Sequence, residues 1–201
     1  MKFFAKRMTL IAAYLAISPL LLLYWLGMMV FSKDDIITAF SQLLSLVPGK
    51  SGSYIRKAFY SATLEACSSD TFIGFGTLIS QHAVTIGPGV YIGPQCNVGQ
   101  CAIGEQTLLG SAVHILSGRH QHSSDEHTHT PNTQENKYQT VKVGKYCWIG
   151  NGAIIMADVG DHSVIGAGSV VVKPIPANSV AVGNPAKVVK QNVGVLSTSS
   201  G

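Results

Sequence analysis

The sequence predicts an all-β solenoid built from very short strands, and two observations lead to this fold class. Aliphatic residues recur at about every sixth position through most of the chain. This period fits neither a helix nor an alternating strand, but it fits stacked turns that bury their aliphatic residues together. Glycine is frequent, with 21 residues, which suits tight corners where the backbone takes positive φ. The recurring positions are Ile73, Ile79, Ile86, Ile92, Val98, Ile103, Leu109, Ile115, Val143, Ile149, Ile155, Val159, Ile165 and Val171.

The 201 residues divide into four predicted segments. Residues 1–33 form a membrane segment, and residues 34–67 form amphipathic, interfacial helices. Residues 68–183 form the solenoid, with a protruding loop at residues 117–140. Residues 184–201 form a C-terminal arm and a disordered tail.

Charge and cysteine content exclude two classes of protein. The net charge is only +4 and no long Lys/Arg run occurs, so we expect no nucleic-acid partner. The four cysteines (Cys67, Cys96, Cys101, Cys147) contain no CxxC pair. We therefore expect buried or half-buried thiols in a solenoid core, and no disulfide framework.

The N-terminal segment predicts association with a membrane. No charged residue occurs from Met8 to Phe31, and three basic residues precede this stretch. Such a stretch is long enough to cross a hydrocarbon layer. Two topologies stay open: a single span, or a helical hairpin that turns at Ser18-Pro19 and returns to the same side. The hairpin predicts a bacterial-type inner-membrane protein, in contact with membrane lipid, whose solenoid lies on the cytoplasmic face.

Two further stretches have helical periodicity. The first apolar stripe begins after Asp34 and Asp35, and Pro48-Gly49 separates it from a second one. Arg56 and Lys57 fall on another face of the second helix, as in basic helices that lie on anionic lipid. The alternative is that these helices cap the open end of the solenoid.

The loop that interrupts the solenoid is the candidate catalytic segment. It is polar and contains His120, His122, His127 and His129. Long loops on a rigid scaffold commonly carry function. A histidine here could act as a general base near neutral pH, or His-x-His could bind a metal. A flexible loop holds a metal poorly, so we expect no metal.

Three motifs resemble the hexapeptide-repeat acyltransferases, which include the maltose, galactoside and xenobiotic O-acetyltransferases. The motifs are Ile149-Gly150-Asn151-Gly152-Ala153, Val164-Ile165-Gly166-Ala167-Gly168-Ser169-Val170-Val171 and Ala181-Val182-Gly183-Asn184-Pro185-Ala186-Lys187. The resemblance covers about residues 68–190. It implies a left-handed parallel β-helix, a homotrimer, and transfer of an acetyl group from acetyl-CoA in clefts between subunits.

The resemblance also implies the site residues. The stretch Ile115-Leu116-Ser117-Gly118-Arg119-His120 looks like the one that carries the family's catalytic histidine. It assigns His120 as the base, with His122 as the second candidate and Asp125 or Glu126 to orient it. The coenzyme-binding positions are Trp148, Asn151, Ala167, Val172, Lys173, Lys187 and Lys190. One departure concerns the acceptor, because Asn97 and Val98 stand where the galactoside enzyme has an aspartate.

The predicted function is acetyl-CoA-dependent O-acetylation of a sugar hydroxyl. The apolar N-terminus favours an acceptor held at a membrane, such as a lipid-linked glycan or a surface polysaccharide precursor. N-acetylation stays open. Two alternatives are a zinc enzyme like the γ-class carbonic anhydrases, with His82, His114 and His120 as ligands, and a non-catalytic trimeric scaffold.

Overall fold

The computed structural model describes residues 2–117 and 139–191, with side chains from residue 14 onward. Within these ranges the chain forms three helices followed by sixteen short strands. The helices are α1 (Lys2–Gly27), α2 (Lys33–Ser45) and α3 (Gly49–Thr63). Ser32 caps α2, since its hydroxyl accepts the backbone N–H of Asp35 at 3.2 Å.

The strands form three sheets, which are the faces of one solenoid. The first face holds β1 (Ala66–Cys67), β4 (Thr85–Ile86), β7 (Cys101–Ile103) and β10 (Val141–Val143). The second holds β2 (Phe72–Ile73), β5 (Tyr91–Ile92), β8 (Leu108–Leu109), β11 (Trp148–Ile149), β13 (Val164–Ile165), β15 (Ser179–Val182) and β16 (Lys187–Gln191). The third holds β3 (Leu78–Ile79), β6 (Asn97–Val98), β9 (His114–Ile115), β12 (Ile154–Ile155) and β14 (Val170–Val171).

Every aliphatic residue of the six-residue series is buried, as predicted. Strands of successive coils pair in parallel and in register, so Ile92 lies between Ile73 and Leu109. The aliphatic positions therefore stack into one core, and the predicted parallel β-helix is confirmed. The first strand begins at Ala66, two residues before the predicted boundary of the solenoid.

Helix α1 runs without interruption through Pro19, so the predicted hairpin turn at Ser18-Pro19 is wrong. Proline has no N–H to donate to the carbonyl of Leu15, four residues earlier. The Ser18 hydroxyl donates to that carbonyl at 2.8 Å and replaces the missing bond. Among the residues that the structure describes, no helix combines the length and apolar character needed to cross a membrane. The predicted membrane span is therefore not supported.

The three helices pack together against the first coil. Tyr24 of α1 makes edge contacts with Phe40 of α2 and Phe59 of α3, and the two phenylalanine rings stack at 5.3 Å. The expectation of a basic lipid-facing surface on α3 is wrong, because Arg56 and Lys57 are both buried. The helices cap the solenoid, which was the second expectation.

The C-terminal arm is extended. Strand β16 runs antiparallel to β15 and widens the second face by one strand. It carries Lys187 and Lys190, both exposed. The predicted tail beyond residue 191, and the loop residues 118–138, lie outside the described residues.

Candidate active site

The loop leaves and re-enters the solenoid at the corner between the third and first faces. The backbone N–H of Gln139 donates to the carbonyl of Ser117 at 3.1 Å. The Ser117 hydroxyl accepts the N–H of Gln100 at 2.9 Å, and the Gln100 amide donates to the Thr140 hydroxyl at 2.8 Å. Both ends of the loop are thus fixed at one point. The candidates His120 and His122, with Asp125 and Glu126, lie outside the described residues.

This loop corner contains a groove of about 210 Å³. Its walls are Gln139, Thr140, Val141, Met156, Ala157, Asp158, Val172, Lys173 and Pro174. Two of the predicted coenzyme residues, Val172 and Lys173, are among them. The Lys173 side chain is exposed, which leaves a cation available at the rim of the groove.

Three other predicted coenzyme residues lie on the second face and at its corner with the third face. Trp148 stands on the second face, between Leu108 and Val164 of the neighbouring coils, with 57% of its surface exposed. Asn151 and Ala167 occupy equivalent corner positions one coil apart. The Asn151 carboxamide oxygen accepts the N–H of Ser111 at 2.9 Å, so this side chain is already used to hold the corner.

The backbone geometry explains why glycine occurs on both sides of Asn151, at Gly150 and Gly152. A Cβ on Gly150 would collide with the backbone of Ala167 in the next coil. Gly152 has φ +66°, a conformation that other residues rarely adopt. The motif therefore lets two coils meet closely at this corner.

One protomer does not bring all predicted coenzyme residues together. Trp148, Asn151 and Ala167 are separated from Val172 and Lys173 by the whole third face. Lys187 and Lys190 lie on β16, at the C-terminal end of the second face. The described site therefore has two halves on opposite sides of one sheet.

The described residues offer neither a ready nucleophilic thiol nor a metal cluster. Burial raises the pKa of Cys67 to about 11 and that of Cys101 to about 12. Desolvation also raises the pKa of Cys147, next to Trp148, and its thiol donates to the Gly160 carbonyl at 3.2 Å. Thiols of this kind are mostly protonated near neutral pH and are poor nucleophiles. Within residues 2–117 and 139–191, no three His, Cys, Asp or Glu residues are grouped as metal ligands.

Sequence reasoning missed an apolar column on the second face. Phe72, Tyr91, Leu108 and Trp148 lie in register on consecutive coils, each partly exposed. Each directly precedes a buried aliphatic residue of the six-residue series. That spacing could have identified the column, because neighbouring strand residues point to opposite faces.

Comparison with curated proteins finds acetyltransferases. The chain is 31% identical over 117 residues to WcaF of Escherichia coli (strain K12), provisionally assigned as a colanic acid biosynthesis acetyltransferase. It is 32% identical over 117 residues to the galactoside O-acetyltransferase of the same strain. These alignments cover 55% and 57% of this chain, and the chain spans 59% and 47% of the two relatives. No family model matches.

Comparison with solved structures gives the same fold. A maltose O-acetyltransferase from Clostridium difficile 630 aligns with a TM-score of 0.69 and 26% identity, over 79% of this chain and 86% of that one. The hexapeptide-repeat acetyltransferase VCA0836 from Vibrio cholerae, solved with acetyl-CoA, aligns with a TM-score of 0.65 over 81% and 90% of the two chains. At 16% identity, the second likeness concerns the fold alone. The comparisons do not favour a carbonic-anhydrase-like zinc enzyme. The repeat, the parallel β-helix and these relatives together show that the chain is similar in sequence and fold to hexapeptide-repeat acetyltransferases.

Proposed function

We propose that this chain transfers an acetyl group from acetyl-CoA to a sugar hydroxyl, with His120 as general base and His122 as the second candidate. One observation carries the proposal: Ser117 and Gln139 are tied together at the corner that also presents Val172 and Lys173. The loop with the histidines thus starts and ends beside two predicted coenzyme residues.

The reaction needs a base at this point. A sugar hydroxyl has a pKa far above 7, so it must lose its proton as its oxygen attacks the thioester carbonyl carbon. A neutral imidazole can accept that proton. The carbon–sulfur bond then breaks, and the coenzyme A thiolate takes the proton back from the imidazolium. No acyl-enzyme intermediate is required, in agreement with the raised pKa values of the described cysteines.

The covalent chain limits where the base can act. Three peptide units separate His120 from Ser117. At about 3.5 Å per residue, their Cα atoms are at most about 10 Å apart. His122 is two residues further on. This limit supports a base that acts beside the loop corner.

The separation of the two half-sites supports a composite site in a homotrimer. We propose that the loop corner of one subunit, with His120, Val172 and Lys173, faces Trp148 and Ala167 of the next subunit. In a closed cyclic assembly, each such contact is repeated identically around the ring. Lys187 and Lys190 would then add positive charge for the coenzyme phosphates.

Substitution of single histidines tests the assignment of the base. His120→Ala should lower kcat by roughly 10²–10⁴ and leave acetyl-CoA binding nearly unchanged. The assay follows release of the coenzyme A thiol with a panel of mono- and oligosaccharide acceptors. His129→Ala, in the same loop, is the matched control and should keep full activity. If only His122→Ala loses activity, the base is His122, and full activity in both variants refutes the proposed mechanism.

We further propose that the acceptor is held at a membrane surface. The support is the outward side of α1 and the turn after it, which expose large apolar side chains. They are Leu15, Leu22, Leu23, Trp25, Leu26, Met29, Val30 and Phe31. An enzyme and a glycan confined to one surface meet at a raised effective concentration.

Vesicle co-sedimentation tests this attachment. The full chain should sediment with anionic phospholipid vesicles, and the double variant Leu22→Ser/Leu26→Ser should not. Val189→Ser is the control, because Val189 is also exposed but lies on β16 at the other end of the solenoid. Equal sedimentation of all three proteins, or of none, would argue against membrane attachment through α1.

A further inference from the structure

A second and larger cleft lies between α3 and the first coils, and the transfer chemistry above does not use it. Its volume is about 530 Å³, within the range of small-molecule sites. Helix α3 forms one wall, and the corner between the first and second faces forms the other. Its lining includes Lys50, Tyr54, Lys57, Asp70, Phe72 and Gln106. We call this space the α3 cleft.

The floor of the α3 cleft is an aromatic surface. Phe72 and Tyr91 stack with their ring centroids 4.8 Å apart and their planes 4° from parallel. Strand β2 is the terminal strand of the second face, so no further coil covers the other side of the Phe72 ring. Phe72 is still 38% exposed. An open aromatic face beside polar groups is suited to pack against the C–H face of a sugar ring.

The polar lining is mixed but carries more positive than negative charge. Lys50 lies in the first turn of α3, is exposed, and has no acidic residue in that turn to compensate it. Lys57 is buried in the wall, with its ammonium 4.7 Å from the centroid of the Tyr54 ring. Asp70 is the single carboxylate among the lining residues. Gln106 adds an exposed amide that can both donate and accept.

We propose that the α3 cleft binds a carboxylate-bearing segment of the glycan acceptor, an inference that rests on the proposed function. The Phe72 ring takes the apolar face of a sugar, Lys50 pairs with its carboxylate, and Asp70 and Gln106 bond to hydroxyls. A phosphate-rich ligand such as a nucleotide fits less well, because Asp70 would oppose its higher negative charge.

The cleft is joined to the transfer site by the apolar column. From Phe72 the column continues through Tyr91 and Leu108 to Trp148, one coil at a time. Strands in a sheet are about 4.8 Å apart, so Phe72 and Trp148 are separated by about 14 Å. A glycan of a few sugar units can span that distance. This remote contact would replace the acceptor aspartate that Asn97 and Val98 do not supply.

Direct binding tests the assignment. The probes are tri- and tetrasaccharides of uronic acids and sialic acids, together with their carboxyl-reduced, neutral counterparts. Dissociation constants are measured by saturation-transfer NMR. The wild-type chain should bind acidic members more tightly than neutral ones. Phe72→Ala should weaken binding of both about tenfold, and Lys50→Gln should abolish the preference for the acidic members.

Phe75→Ala is the matched control, since Phe75 is similarly exposed on the same coil but does not line the cleft. Because Lys50 is exposed, Lys50→Gln should fold normally. It therefore still tests the proposal if Phe72→Ala does not fold. The proposal is overturned if no acidic probe binds, or if Phe72→Ala and Lys50→Gln bind all probes as the wild type does. Acetyl-CoA binding and transfer to small acceptors are measured on the same variants. If the wild type binds acetyl-CoA and acetylates small acceptors but binds no acidic probe, only the proposal on the α3 cleft fails. If the wild type shows neither activity, the proposed function itself is refuted.

Discussion

The solenoid and the helices that cap it bury very different side chains. The coils bury aliphatic residues about six positions apart, together with small hydroxyl side chains such as Thr107, and their backbone groups bond to the next coil. The cap buries Arg56, Lys57 and Tyr60 beside its aromatic cluster. A coil inside the stack has a neighbour on both sides, whereas the first coil has none on its outer side. At the end of the repeat, polar side chains of the cap therefore supply hydrogen bonds that a further coil would otherwise make.

Arg56 illustrates this difference. Its guanidinium donates to the carbonyls of Leu44 and Val47, at 3.0 and 2.7 Å, where α2 ends. It also donates to Ile73 in the first coil at 3.2 Å. Burial lowers the pKa of Arg56, and Tyr60 partly opposes this effect. One side chain thus satisfies a helix end and ties the cap to the solenoid.

The largest stability loss is expected in the solenoid. Ile149 is fully buried between Leu109 and Ile165 of the coils on either side. Ile149→Ala should lower the free energy of unfolding by about 3–4 kcal/mol, since paired coils cannot collapse into the cavity. Urea unfolding measures the change, and Ile149→Val, which should cost about 1 kcal/mol, is the control. A loss under 1 kcal/mol for the alanine variant would mean that the core is not closely packed.

Replacing the buried cation of Arg56 should lower the free energy of unfolding somewhat less than Ile149→Ala does. Arg56→Met keeps much of the side-chain volume but leaves the Val47 and Ile73 carbonyls without this donor. We expect a loss of about 2–3 kcal/mol, the cost of buried unsatisfied groups. Arg56→Lys should recover part of it. Equal stability of Arg56→Met and the wild type would show that the cap does not need the hydrogen bonds that Arg56 donates.

Alkaline pH should also weaken the cap. Burial raises the pKa of Tyr60 to about 12, and hydrogen bonding to Ser41 only partly opposes this. Above pH 10 the tyrosine ionises in the unfolded chain but stays neutral in the folded one. Stability should therefore fall between pH 10 and pH 12, by up to about 1.4 kcal/mol per pH unit. Tyr60→Phe should remove this part of the slope in urea unfolding at pH 9, 11 and 12. An unchanged slope would contradict the burial of a neutral hydroxyl.

The smallest effect is expected for a surface ion pair between coils. Lys145 and Glu105 lie 3.1 Å apart with both side chains open to water. Exposed pairs of this kind are screened and add little. Lys145→Ala should leave the Tm unchanged within error in a thermal scan. A clear drop would show that charge pairs, and not only the aliphatic stack, hold the coils together.

The aliphatic period predicted the solenoid because each coil repeats the same local requirement. The same register explains why Trp148 lies on a face and Asn151 and Ala167 at a corner, but it was the resemblance that assigned these residues to the coenzyme. Other features had no such signal. Helical periodicity could not show that Arg56 points inward, because a charged residue on an apolar helix normally faces water. The sequence also did not show that the Ser18 hydroxyl bonds to the Leu15 carbonyl, which Pro19 leaves without a donor.

The resemblance implied both the site residues and a cleft between subunits, but it did not say which corners would form that cleft. Spacing assigns a residue to a corner of its own coil, and it carries no information on which corner of a neighbouring subunit lies opposite. The two half-sites on either side of the third face became apparent only from the three-dimensional arrangement.

Mixed trimers test the central claim, a composite site between subunits, most directly. His120→Ala lacks the proposed base. Ala167→Trp obstructs the corner between the second and third faces, where we propose that the coenzyme binds and which we call the coenzyme corner. Each proposed homotrimer should therefore be inactive. After the two are unfolded, mixed in equal amounts and refolded, about one quarter of the sites should combine an intact loop corner with an intact coenzyme corner. The composite site predicts recovery of about one quarter of wild-type acetyl transfer. No recovery, with mixed trimers confirmed by mass spectrometry, would contradict it.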